Sequence, residues 1–248
     1  MSIDDERDLA ALRAAGRVVR AALDAMSAAV APGTSTARLD AIAGEVLREH
    51  GARSAPRLVY GFPGQTCISV NDEVVHGIPI EGRRLRDGDL VKLDVTVEKD
   101  GYMADGAVTR PVGRASPRAA RLIDCAESAF RRALRLVRPG RRACDVGGEI
   151  ESEVRRRGFS VVRALSGHGI GRTIHEEPTM PNWFDPSARA WLTEGLVITV
   201  EPIIAMGFGE SVESADGWTV RTLDGSLSAH FEHTLVVTRG EPLLLTAA

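Results

Sequence analysis

Hydrophobic positions recur along this chain at two different periods. Residues 6–30 form an alanine-rich run with helical spacing that stops at VAPG (30–33). A second helix is predicted after TST (34–36), whose hydroxyls can cap it, with Leu39, Ile42, Val46 and Leu47 as its apolar stripe. The same order of elements returns later. A helix over roughly 116–137 stops at VRPG (137–140), and the next carries Val146, Ile150 and Val154. In LVKLDVTVEKDGYMADGAVT (90–109) the period changes to two, with Val91, Leu93, Val95 and Val97 on one face and Lys92, Asp94, Thr96 and Glu98 on the other. KDGY (99–102) predicts a type I′ turn centred on Asp100-Gly101. Such a turn pairs Lys99 with Tyr102, Thr96 with Asp105 and Asp94 with Ala107, making Asp94 and Asp105 diagonal neighbours on one face.

The two copies align at a single offset of 107 positions, which pairs Val30 with Val137, Pro32 with Pro139, Gly33 with Gly140 and Gly51 with Gly158. Carried forward, it pairs Gly88 with Gly195 and the strand LVKLD (90–94) with VITVE (197–201), so that Asp94 falls on Glu201. The expectation is two α-α-β units, roughly 6–110 and 116–238, packed about a pseudo-two-fold axis. No linker or low-complexity stretch separates them, so residues 1–248 are expected to form one domain.

Composition narrows the function classes. The 44% hydrophobic and 26% charged content is that of a soluble globular chain, and a net charge of −3 gives no reason to expect nucleic acid as a partner. The RRR run at 155–157 reads as a solvated helix face. Three cysteines without CxxC spacing suit a reducing compartment and argue against a disulfide framework or a cysteine-bound zinc. The start MSIDDERDLAAL has no apolar signal region, and no run approaches the length of a membrane span. A cytoplasmic location without membrane contact is the expectation.

Candidate chemistry lies in GHGIGRTIHEEP (167–178) and in four acids. Gly167, Gly169 and Gly171 disfavour a helix, and a regular strand would send His168 and His175 to opposite faces. Neither regular element accounts for the run, which leaves open a site entrance or a plain glycine-rich loop. Asp94, Asp105, Glu201 and Glu232 sit on or beside apolar strands. Gathered in one cleft they would repel and raise each other's pKa unless cations neutralised them. Two divalent ions would do so; oxygen ligands with one imidazole suit Mn, Fe(II), Co or Zn. A water shared between such ions would become a nucleophile near neutral pH.

These stretches together resemble type I methionine aminopeptidases in their short, bacterial-type form. The resemblance is carried by CISVNDEVVHGIP (67–79), KLDVTV (92–97) with an aspartate eleven residues on, GHGIGRTIHEEP (167–178), VEP (200–202) and FEHTLVVT (231–238). It implies the pita-bread α/β fold, an α+β arrangement with a central antiparallel sheet flanked by helices. It also implies a dinuclear centre held by Asp94, Asp105, His168, Glu201 and Glu232, with Asp105 and Glu232 bridging. His76 and His175 would contact the substrate, Glu201 would carry the proton from the attacking water to the leaving amine, and His175 would help hold the oxyanion. Cys67, Phe62 and Trp218 would line the methionine pocket, Phe62 standing where the family often has tyrosine. Ile174 replaces a commoner phenylalanine, and MADGAV (103–108) departs from the frequent GD before the second aspartate. The implied substrates are peptides and nascent polypeptides beginning with methionine and a small second residue. A monomer is expected, and transient contact with the ribosome is left open. The competing readings are a proline-directed aminopeptidase or prolidase of the same fold, which usually carries an extra N-terminal domain, and a non-catalytic binding protein that has lost its metal ligands. A second aminopeptidase paralogue of the same activity also remains open.

Overall fold

The computed structural model describes residues 1–247. Helix α1, Glu6–Ala28, is capped by the Asp5 side chain, which accepts from the Arg7 and Asp8 amides. Its buried residues Leu12, Ala15, Val18, Val19, Ala22, Leu23 and Met26 fall at spacings of one, three and four, so they form one face. Helix α2, Thr36–Glu49, is capped by the Ser35 hydroxyl, as the TST run predicts. A short helix α3, Ala55–Tyr60, ends at Gly61 with φ +73°. Helix α4, Pro117–Leu134, and helix α5, Ala143–Arg156, follow the hairpin.

The main sheet runs in the order Arg53–Ser54, Leu90–Lys99, Tyr102–Pro111, Glu232–Val236, Val197–Val200, Ser166–Gly169 and Glu176–Pro181. Cys67–Val70 pairs with Leu90–Lys99, and Leu243–Leu244 with Glu232–Val236, each antiparallel. The hairpin forms in the register that the alternation predicts: Lys99 opposite Tyr102, Thr96 opposite Asp105, Asp94 opposite Ala107. Asp100 and Gly101 take φ +51° and +82°, the paired positive values that a type I′ turn requires.

The two faces of this sheet differ in chemistry. On one face Val91, Leu93, Val95 and Val97 pack with α1 and α2, while Ile198, Val200 and Leu235 pack with α4 and α5. Phe231 lies against both cores and joins them. The other face holds polar rows that run across the strands. One row is Cys67, Asp94, Ala107 and Glu232; the next joins Thr96 to Asp105, with Thr234 beside Asp105 and opposite Thr199. Because side chains alternate strictly along a strand, burying the valines against the helices obliges the carboxylates to face the opposite cleft.

Glycines at equivalent positions in the two α-α-β segments share a backbone state. Gly33 and Gly140, Gly51 and Gly158, and Gly88 and Gly195 all have positive φ.

Candidate metal centre and substrate pocket

Five of the sequence-predicted ligands converge on the polar face. Asp105, Glu201 and Glu232 are buried, whereas Asp94 is partly open to the cleft. Asp105, His168 and Glu232 bring ligand atoms within 4.8 Å of one another, and the Asp94 carboxyl faces that of Asp105. Among the described residues, the side-chain nitrogens nearest the carboxyls of Glu201 and Glu232 are those of neutral histidines: His168 Nε2 lies 3.6 Å from Glu201 and His230 Nε2 3.4 Å from Glu232.

The run 167–178 differs from the sequence expectation. It is a strand hairpin, with His168 in Ser166–Gly169 and Glu176 opening the return strand. Its register shifts between Gly167 and Gly169, where two steps on this strand oppose the four from Met180 to Glu176, so the extra residues lie on the return strand. The strict alternation that separates His168 from His175 does not apply, because His175 lies in the connection between the two strands rather than on the strand of His168. A Cβ at Gly167 would sit 2.7 Å from the Thr199 carbonyl oxygen, and one at Gly169 would sit 2.2 Å from that of Glu177. The glycines serve close backbone approach, which lets Ser166–Gly169 lie against its neighbours. His168 and His175 stack edge to face with centroids 4.3 Å apart.

Hydrogen bonds fix these side chains. His168 Nδ1 lies 2.9 Å from the Gly169 carbonyl oxygen; donating there leaves the Nε2 lone pair facing the carboxylates. The Thr199 hydroxyl donates to Glu201 at 2.8 Å and accepts the His168 amide at 3.0 Å. The Gly106 amide donates to Asp105 at 2.8 Å. His76 holds φ +57°, a strained value for a residue with a side chain, at the edge of the cleft.

Electrostatics follow from enclosure without a counter-charge. Burial, and then repulsion from Asp105, push the carboxyls of Asp94, Glu201 and Glu232 well above the usual carboxylate range. Asp105 is also raised by burial, but its hydrogen bonds to Thr96 and Gly106 oppose the shift. Burial lowers His168, and burial together with His168 lowers His175, so both imidazoles are held neutral and able to accept at a ring nitrogen.

Two adjoining cavities of about 100 Å³ each open on this centre and share His76, Asp94, Asp105 and His175 in their walls. The first is completed by Pro56, Tyr60, Phe62, Cys67, Thr96, Ile174 and Trp218; the second holds His168, Glu201, His230 and Glu232. Phe62 and Trp218 meet edge to face at 5.2 Å. Each sequence-predicted site residue thus reaches the cleft.

Two further residues belong there. Tyr60 OH lies 2.6 Å from His175 Nδ1 across 115 positions, a contact no local pattern announces. His230 did carry a signal, since it stands two residues before Glu232 and next to an apolar strand. Its ring is 2 % exposed, and burial, then His76 and Lys92, lower its pKa to about 3. Lys92 is itself buried, with Nζ donating to the Asn71 carbonyl at 2.7 Å, and its pKa is lowered by burial to about 7.

The donor set fits divalent cations. Glu232 Oε1 and both ring nitrogens of His230 are buried without a hydrogen-bond partner, and the clustered carboxyls have no lysine or arginine to balance them among the described residues. Residues 10–239 match the model of metallopeptidase family M24. The chain belongs to that family. It is 43% identical to methionine aminopeptidase 2 of Bacillus subtilis over 99% of both chains. It superposes on the crystal structure of methionine aminopeptidase from Thermotoga maritima with a TM-score of 0.96, at 33% identity and with both chains fully covered. The M24 member therefore groups with the methionine aminopeptidases, and its mixed α/β architecture is their pita-bread fold, as the motifs imply. A prolidase from Pyrococcus furiosus shares the fold alone, at 21% identity and TM-score 0.80, and this chain covers 65% of it. Membership of a metallopeptidase family implies divalent metal binding.

Proposed function

We propose that this M24 member is an aminopeptidase that hydrolyses the bond after an N-terminal methionine, in peptides and nascent polypeptides, with preference for a small second residue. The observation that carries this reading is the shared wall of the two cavities. A carboxylate-histidine centre abuts a pocket of about 100 Å³ lined by Phe62, Cys67, Ile174 and Trp218, room for one unbranched apolar side chain. That juxtaposition suits removal of a single residue. The M24 relatives named methionine aminopeptidases at full coverage support it, whereas the prolidase likeness reaches the fold only.

Asp94, Asp105, His168, Glu201 and Glu232 would hold two divalent ions, drawn from Mn, Fe(II), Co or Zn, with Asp105 and Glu232 shared. When bound, such ions polarise the scissile carbonyl and lower the pKa of water to the neutral range. Glu201, held by the Thr199 hydroxyl at 2.8 Å, is placed to take a proton from the attacking water and return it to the leaving amine. Tyr60 orients His175 through Nδ1, which directs Nε2 toward the substrate carbonyl as a donor to the developing oxyanion. His76 bounds the same space and would contact the peptide downstream of methionine. Apolar packing by Phe62, Trp218, Cys67 and Ile174 excludes water from the methionine side chain and fixes the register of cleavage.

The same reading takes residues 1–248 as one catalytic domain with an internal duplication, roughly 6–110 and 116–238. The matched positive-φ glycines and the offset-paired carboxylates, Asp94 within Leu90–Lys99 and Glu201 just after Val197–Val200, support it. It further takes the protein as a cytoplasmic monomer that meets nascent chains through transient ribosome contact. No helix among the described residues is long and apolar enough to cross a membrane. Anomalous scattering from crystals soaked in Mn(II) tests the ligand assignment. Two peaks between Asp94, Asp105, His168, Glu201 and Glu232 are expected; peaks elsewhere, or none, would overturn it.

A further inference from the structure

His230 is the residue of the cleft left without a role. It is 2 % exposed, and neither ring nitrogen has a hydrogen-bond partner, an arrangement that is costly unless something absent from the protein satisfies it. Its Nε2 points between two carboxylates, 3.4 Å from Glu232 and 3.8 Å from Glu201. Ligand atoms of Glu201, His230 and Glu232 lie within 4.8 Å of one another, a second cluster that shares Glu232 with the Asp105–His168–Glu232 group. The backbone holds the ring there: the His230 amide donates to the Thr109 hydroxyl, and that hydroxyl donates to the His230 carbonyl, both at 2.8 Å. His168 Nε2 approaches Glu201 from its other oxygen, so two imidazoles bracket one carboxylate.

We propose that His230 is an additional metal ligand, so that the ion held at Glu201 and Glu232 has two imidazole donors rather than one. The inference rests on the metal-centre reading above. Nitrogen donors favour Co(II), Fe(II) and Zn(II) over Mn(II), so the second imidazole gives this centre a tighter hold on the borderline ions. The carboxylates supply charge, while His230 supplies selectivity.

The test loads chelator-stripped protein with one equivalent of Mn(II) and counts coupled imidazole nitrogens by electron spin-echo modulation. Calorimetric titrations with Co(II) and with Mn(II) accompany it, on the wild type, H168Q and H230Q. Expected is a two-imidazole signature in the wild type that drops to one in either variant. Co(II) affinity should fall at least tenfold in H230Q, with a smaller loss for Mn(II). A one-imidazole signature in the wild type would overturn the proposal whether or not H230Q folds. Equal losses for both ions, with the signature unchanged in H230Q, would reduce His230 to a packing residue. Absence of any Mn(II) or Co(II) binding by the wild type would sink the metal-centre reading itself, an outcome distinct from the other two.

Discussion

Replacing Glu232 by glutamine is expected to change stability in opposite directions with and without metal. Burial and the neighbouring Asp105 and Glu201 hold its carboxyl well above its ordinary value of 4.5. In the metal-free fold the raised value favours the protonated carboxyl, whereas in the unfolded chain the group ionises at its ordinary value. The stability supplied by the protonated form is fully present below about pH 4.5 and is lost as pH rises toward the raised folded value. Each pH unit by which the carboxyl is raised is worth about 1.4 kcal/mol. The cluster shares its protons, so E232Q is expected to recover the equivalent of about one such unit, or roughly 3–6 °C in Tm for a chain of this length. Glu232 Oε1 has no hydrogen-bond partner to lose. Excess Co(II) should reverse the order, because at a hundred times Kd the wild type gains about 2.7 kcal/mol that a variant lacking a ligand cannot match. Calorimetric melting of both proteins after chelation, at pH 7 and pH 4.5, then with Co(II), reads all three terms. If metal-free E232Q melts below the wild type at pH 7, or if its advantage persists undiminished at pH 4.5, the repulsion argument is wrong.

Other consequences are smaller in scope. H168A should lose turnover and hold its metal more weakly, seen as reduced metal content after dialysis. H175A should retain its metal while kcat falls about a hundredfold, the usual cost of one oxyanion donor, and a metal-free H175A would remove it from the substrate contacts. Y60F should lower kcat by a smaller factor and have little further effect in the H175A background, because it acts through that ring. Far from the cleft, Glu153 is paired with Arg156 and Arg157 and bonded to Ser128; these outweigh its burial and lower its pKa to about 2. A depressed carboxylate adds stability above its unfolded value, lost as pH falls from about 4.5 toward 2. With Arg156 well exposed, screening reduces the effect to about 1 kcal/mol, so urea melts of E153Q and wild type should differ at pH 7 and converge near pH 2.

The hairpin carrying Asp94 and Asp105 was legible residue by residue, because alternation and the Asp-Gly turn are local signals that fix both face and register. Four of the five helices were legible for the same reason, as was the Ser35 cap from the TST run, but the short α3 was not anticipated. The 167–178 run by itself left a site entrance and a plain loop open, and its hairpin was not legible, since the connection and the extra residues of the return strand break the periodicity from which strands are read. Pocket contacts such as Phe62 against Trp218 and Tyr60 against His175 join residues far apart in sequence, and the resemblance, not the pattern, pointed to Phe62, Trp218 and His175. His230 was overlooked although it precedes Glu232 by the two-residue step that puts both on one face. Without coordinates, nothing indicated that its nitrogens would be left unpaired.

The central claim is that a carboxylate-histidine metal centre beside a one-residue apolar pocket removes N-terminal methionine. It is tested most directly by stripping the protein with a chelator, restoring Mn, Fe(II), Co or Zn separately, and offering two peptides, one beginning Met-Ala and the other Ala-Pro. The account predicts metal-dependent release of free methionine from the first and no cleavage of the second. Cleavage of the proline peptide alone, or methionine release that survives without metal, would contradict it.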